Sequence, residues 1–96
     1  MKGFQDILDT LNRLKPILKE KYFVSSIGIF GSIVRNEQLP GSDIDIVVDF
    51  SRPIGIEFVD LADYLESELK NKVDLVSMKG IKQKYLNAIN PDIVYV

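Results

Sequence analysis

The chain has 96 residues, a formal net charge of −2, 46% hydrophobic content, and neither cysteine nor histidine. That length predicts one domain over residues 1–96 with a single modest core. The missing residue types exclude disulfides, thiolate metal sites and the commonest general base and zinc ligand. A chain of this charge is not expected to bind nucleic acid strongly on its own. No run is long enough to span a bilayer, and the opening MKGFQDILDT lacks the apolar stretch of a signal peptide. A cytoplasmic location away from membranes is therefore the expectation. Any metal must sit on oxygen ligands, which favours Mg²⁺, with Mn²⁺ as the alternative.

Residues 4–21 read as helix, because Ile7, Leu8, Leu11, Leu14 and Leu18 recur at three- and four-residue steps. Pro16 predicts a kink or restart, giving two segments near 4–14 and 16–21. Residues 24–31 read as a first strand with Ile27, Ile29 and Phe30 buried. Ser32 to Arg35 can make one helical turn after Gly31. Unpaired backbone N–H groups at such a turn bind anions, glycine lets a phosphate approach, and Ser32 adds a hydroxyl donor. Gly31-Ser32 also reads as a plain turn. Arg35 is either a solvated loop residue or a partner for phosphate or carboxylate.

After a polar loop with Asn36, Pro40 and Gly41, a second strand spans 43–50 and opens with two aspartates. Aspartate is depleted in strands, and a carboxylate is costly to bury unless paired or bound to metal. Residues i and i+2 of a strand share a face, roughly 6.6 Å apart at about 3.3 Å per residue. Asp43 and Asp45 can therefore converge on one spot and hold Mg²⁺ against substrate phosphates, with water and phosphate oxygens completing the shell. Asp49 shares that alternation but falls near the strand's far end, where solvation is the expectation.

Ser51 to Gly55 is a turn. Residues 56–70 form the clearest helix, with Phe58, Leu61, Ala62, Leu65 and Leu69 on its apolar face and acidic residues around the rest, which reads as a solvated surface. Lys72 to Ser77 is a short third strand. Its Asp74 is either the third carboxylate that a two-metal site needs or a strand-start residue paired with Lys72 or Lys79. Ile81, Tyr85, Leu86 and Ile89 follow at helical spacing, stopped by Asn90-Pro91. Lys79, Lys82 and Lys84 are surface charges unless one reaches a phosphate. The loop of about ten residues between the first two strands favours an antiparallel pair, while the third strand, arriving after a full helix, can pair in parallel. The fold class is α+β: a small mixed sheet with helices mainly on one face.

Gly31-Ser32-x-x-Arg35 followed by Ser42-Asp43-x-Asp45 resembles the signature of the polymerase-beta-like nucleotidyltransferases, and at this length most closely the minimal, MNT-type branch of prokaryotes. The resemblance runs from about residue 5 to the C-terminus. It departs at Asn36, where the family mostly has glycine; asparagine tolerates positive φ better than other non-glycine residues. The resemblance implies that Asp43, Asp45 and Asp74 are catalytic and hold two Mg²⁺ ions, and that Gly31, Ser32, Arg35 and Ser42 bind the nucleotide. It implies transfer of a nucleoside monophosphate, AMP from ATP, to a hydroxyl. Larger relatives append a helical domain that presents the acceptor; here the acceptor is expected from a partner chain, a helical HEPN-type toxin for which this protein is the antitoxin. The alternatives are transfer to a small molecule such as an aminoglycoside, and a non-catalytic antitoxin that works by contact.

Overall fold

The computed structural model describes residues 3–37, 39 and 41–96. The elements are α1 (Phe4–Tyr22), β1 (Val24–Phe30), β2 (Ile44–Phe50), α2 (Glu57–Leu69), β3 (Val73–Ser77), α3 (Gln83–Ile89), a 3₁₀ turn (Asn90–Asp92) and β4 (Val94–Tyr95). Pro40 of the expected loop lies outside the described residues. The helix and strand positions read from the sequence hold to within a residue or two. The two-residue β4 had no counterpart in that reading.

Pro16 does not break α1, which runs unbroken through it. The expectation of two segments is corrected for a physical reason. Proline removes the N–H that would bond the Asn12 carbonyl, but Pro16 and Asn12 are both exposed, so water can take that carbonyl. Meanwhile Ile7, Leu11, Leu14, Leu18 and Tyr22 are buried on both sides of the proline. Burial of a large aliphatic side chain stabilises by about 1.5–3 kcal/mol, enough to keep the helix continuous against the core.

The sheet has four strands in the order β3-β2-β1-β4. β1 pairs antiparallel with β2 and with β4, while β2 and β3 are parallel. This is the expected mixed sheet, with the short connection making the antiparallel pair and the helical crossover making the parallel one. Ile27 and Ile29 of β1 and Ile44, Ile46 and Val48 of β2 join Leu11, Leu14 and Leu18 of α1 and Leu61, Leu65 and Leu69 of α2 in one core. α1 and α2 thus cover one face.

The other face carries Gly28, Phe30, Asp45 and Val47, and here the C-terminal segment crosses. A Cβ at Gly28 would lie 2.6 Å from Ile93 Cγ2 and 3.2 Å from the Tyr95 ring. Only glycine lets Ile93 lie against β1 this closely, and this close approach places the segment that follows α3 beside the end of β1. Among the described residues, no helix is long and apolar enough to cross a membrane.

Candidate active site

β1 ends at Gly31, whose φ of +82° suits glycine. The next residues do not form the expected helical turn. They form a pair of nested turns that end with asparagine. The Asn36 N–H bonds the Ile33 carbonyl at 3.3 Å, and the Glu37 N–H bonds the Ser32 carbonyl at 2.8 Å. Asn36 takes the left-handed conformation, φ +57°. This bonding pattern is the one that usually ends a helix on glycine. Asparagine fills the glycine position without loss of the turn.

β2 starts at Ile44, so Asp43 precedes the strand by one residue and is exposed, while Asp45 is half-buried within it. Asp45 sits opposite Phe30 of β1 and in register with Asp74 of β3. The alignment is pinned from β3's side. The Ile44 N–H bonds the Lys72 carbonyl at 2.9 Å, and the Asn71 amide donates to the Ser42 carbonyl at 3.0 Å and the Lys72 carbonyl at 2.9 Å. Glu66 of α2 accepts from the Val73 N–H at 2.9 Å. The chain between α2 and β3 is therefore anchored on both sides, and Asp74 is carried to Asp45.

The electrostatics of the pair follow from this crowding. Burial pushes the Asp45 carboxyl up to about 6. The charges of Asp74 and Asp43 add to the rise, Arg35 opposes it, and a hydrogen bond between the Asp45 and Asp74 side chains contributes least. Asp74 thus stands beside Asp45 on the adjoining strand, and both it and Asp43 act on Asp45 through their charge. Among the described residues, Asp74 makes no ion pair with Lys72 or Lys79, which removes the main structural explanation for an aspartate there. No three acidic side chains among the described residues stand close enough to enclose a cation by themselves.

Gly31 presses against Asp45: a methyl group there would overlap Asp45 Oδ2 and lie 2.9 Å from Cγ. Beside them opens a cavity of about 310 Å³, lined by Gly31, Ser32, Arg35, Asp45, Tyr85 and Asp92, with Phe30 and Ile89 as its apolar wall. Four residues that the sequence suggested thus converge. Ser42 does not line this cavity. Its hydroxyl accepts from the Leu39 N–H at 3.0 Å and closes the loop before β2. Lys79, Lys82 and Lys84 are exposed and line no part of it. Asp92 was not legible beforehand. It bonds Arg35 Nη1 at 3.2 Å across 57 residues of chain, and nothing in its local sequence signals that. Tyr85 and Ile89, four residues apart on α3, had shown only helical spacing. A larger groove of about 730 Å³ lies between α1 and the start of β1, but among the described residues Glu20 is the only acidic side chain lining it, so it brings no carboxylates together.

Residues 11–94 match the nucleotidyltransferase domain family. The chain belongs to that family. This nucleotidyltransferase is 50% identical over 98 residues to a provisionally named protein adenylyltransferase of Methanocaldococcus jannaschii, with the whole of both chains covered. It is 38% identical over 97 residues to the protein adenylyltransferase MntA of Thermococcus cleftensis, covering 100% of this chain and 98% of that one. Among solved structures, a chain of a toxin–antitoxin complex crystallised with AMP-PNP is 27% identical and superposes with a TM-score of 0.74, over 88% of this chain and 69% of that one. A provisionally identified minimal nucleotidyltransferase reaches a TM-score of 0.83 at 20% identity, over 97% of this chain and 95% of that one, a likeness of fold. The α+β fold and the enzyme class implied by Gly31-Ser32 and Asp43-x-Asp45 are thereby established.

Proposed function

We propose that this nucleotidyltransferase moves AMP from ATP onto a hydroxyl of a HEPN-type toxin in the cytoplasm and so serves as its antitoxin. The observation that carries the reading is the register of Asp45 with Asp74 on adjoining strands, beside the Gly31 turn, in a chain that matches MntA end to end. The donor set fits a hard divalent cation. It consists of carboxylate oxygens alone, and the charges of Asp74 and Asp43, which add to burial in raising the Asp45 carboxyl to about 6, are the arrangement a cation would relieve. Asp43, Asp45 and Asp74 would hold Mg²⁺, with the remaining ligands from phosphate and water. When bound, Mg²⁺ supplies charge neutralisation at the phosphates and lowers the pKa of the attacking hydroxyl.

The chain's own residues do the rest. The Gly31 backbone and the Ser32 hydroxyl cradle the β- and γ-phosphates, and Arg35 offsets their charge. Ser42 serves this site indirectly, by closing the loop that presents Asp43. The acceptor oxygen bonds to the α-phosphorus as the α–β bridging P–O bond breaks. Pyrophosphate leaves, and the hydroxyl proton passes to the exposed Asp74 carboxylate. Phosphoryl chemistry of this kind depends on positioning and charge more than on a dedicated base, which suits a chain without histidine.

Incubating the co-purified toxin with Mg-ATP and measuring its intact mass tests the reading. The expected result is a gain of one or more AMP units, abolished by Asp43→Asn. No gain with wild type, together with full protection of cells by Asp43→Asn, would mean neutralisation by contact alone. Modification of an added aminoglycoside instead would move the acceptor to a small molecule.

A further inference from the structure

Among the described residues, Arg35 is the only cation lining the cavity beside Asp45, and it is held from two directions. Glu37, in the same turn, accepts from Nε at 3.2 Å, and Asp92 accepts from Nη1 at 3.2 Å. The bond to Glu37 is local, between residues two apart. The bond to Asp92 is not: the 3₁₀ turn Asn90–Asp92 must be delivered to the end of β1 by α3 and by the close packing of Ile93 on Gly28.

The pair contributes little to folding. Its side chains are 46% and 43% exposed, and ion pairs this exposed add little to stability. What it does is fix a guanidinium. Free arginine has many rotamers, and each bond to a fixed carboxylate removes some of them. A guanidinium has five N–H donors. Bonds from Nε and Nη1 leave three of them for an incoming anion, in a plane the two carboxylates define.

We propose that Asp92 is a positioning residue that orients Arg35 toward the phosphates of the nucleotide, making the C-terminal 3₁₀ turn a working part of the nucleotide site. This rests on the nucleotidyl-transfer reading above. The ligand is the polyphosphate of a nucleoside triphosphate, and Asp92 contributes by ordering the cation before the ligand arrives.

Calorimetric titration with Mg-ATP tests it, with thermal melts to check folding. Arg35→Gln and Asp92→Ala are each expected to weaken binding about five- to tenfold, the scale of a charge-assisted hydrogen bond. Asp92→Asn keeps an acceptor oxygen and should stay within about twofold of wild type. The double variant should bind no more weakly than Arg35→Gln alone, since Asp92 acts through Arg35. Three outcomes overturn the inference while the nucleotide reading stands: Asp92→Ala that leaves binding unchanged, Asp92→Ala that tightens it by freeing Arg35, or Asp92→Ala that costs as much on the Arg35→Gln background as on wild type. Wild-type protein that binds no Mg-ATP overturns both.

Discussion

The two faces of β2 are built by opposite rules from one seven-residue strand. Ile44, Ile46 and Val48 point into the core beneath α1 and α2, with Ile46 and Val48 fully buried. Asp45, Val47 and Asp49 point the other way, and only Val47 is fully buried there. On the core face every side chain lowers the free energy of folding. On the other face Asp45 is half-buried beside Asp74 and Asp43, at an electrostatic cost the fold would shed if stability were all that mattered. Placing the cost in β2, which is paired to a strand on each side and buried on its opposite face, lets the core hold the carboxylates together against their repulsion.

Substitutions on the two faces should therefore act on different quantities. Asp45→Asn is expected to reduce the rate of transfer by at least about a thousandfold, roughly 4 kcal/mol, since metal-mediated charge stabilisation contributes several kcal/mol and each 1.36 kcal/mol is tenfold. Its stability at neutral pH should hold or rise, because the crowded charge is gone. Steady-state kinetics and urea unfolding of the same preparation check both. Ile46→Ala, one residue along and on the opposite face, should do the reverse: a stability loss of about 2–5 kcal/mol, with the folded fraction still transferring at close to the wild-type rate. If Asp45→Asn unfolds the protein, or Ile46→Ala leaves stability untouched, the division of labour is wrong.

The core face was the more legible of the two. Apolar residues at period two in β2 and at three- and four-residue steps in α1 and α2 mark it without ambiguity. Two aspartates heading an apolar strand stood out for the same reason: they violate the pattern. What stayed hidden depends on long-range placement. Asp74 was visible only as one of two alternatives, because register between strands some thirty residues apart is not written in either strand. Asp92 was invisible, since its partner lies 57 residues away. Pro16 misled in the other direction. A local rule gave a break, and burial on both sides of the proline overrode it.

The cost at Asp45 can be measured directly in metal-free protein. Its folded-state carboxyl lies near 6 against an ordinary 3.8. Between those values the unfolded chain has released the proton and the folded chain still holds it. This group's contribution is therefore fully present below about pH 4 and is lost as pH rises through 6. Discounted for solvent screening, the loss should be about 1–2 kcal/mol. Urea midpoints in EDTA at a series of pH values, compared between wild type and Asp45→Asn, isolate Asp45 and its coupling to Asp43 and Asp74, because carboxylates that do not interact with it cancel in the difference. A difference curve flat from pH 4 to 7 would mean that Asp45 is neither buried nor crowded by Asp74 and Asp43 in solution.

The smallest expected effect concerns how the site face is supported. Asn36 holds φ +57° at the end of the Ser32–Glu37 turn, a conformation in which glycine carries no steric penalty and asparagine only a modest one. Asn36→Gly relieves that strain but makes the unfolded chain more flexible, and the two effects oppose each other. A net change within about 0.5 kcal/mol is expected, or a shift in Tm of at most about 4 °C for a chain of this size. Asn36→Ala keeps the strain and loses the asparagine's tolerance of it, so it should destabilise by about 1 kcal/mol. If Asn36 serves the turn alone, Asn36→Gly should leave the affinity for Mg-ATP as it is. If Asn36→Gly instead raises that affinity several-fold, then asparagine at this position limits the approach of phosphate to the Gly31–Arg35 turn. The turn would then be a place where the site face has given up binding strength, as it gives up stability at Asp45.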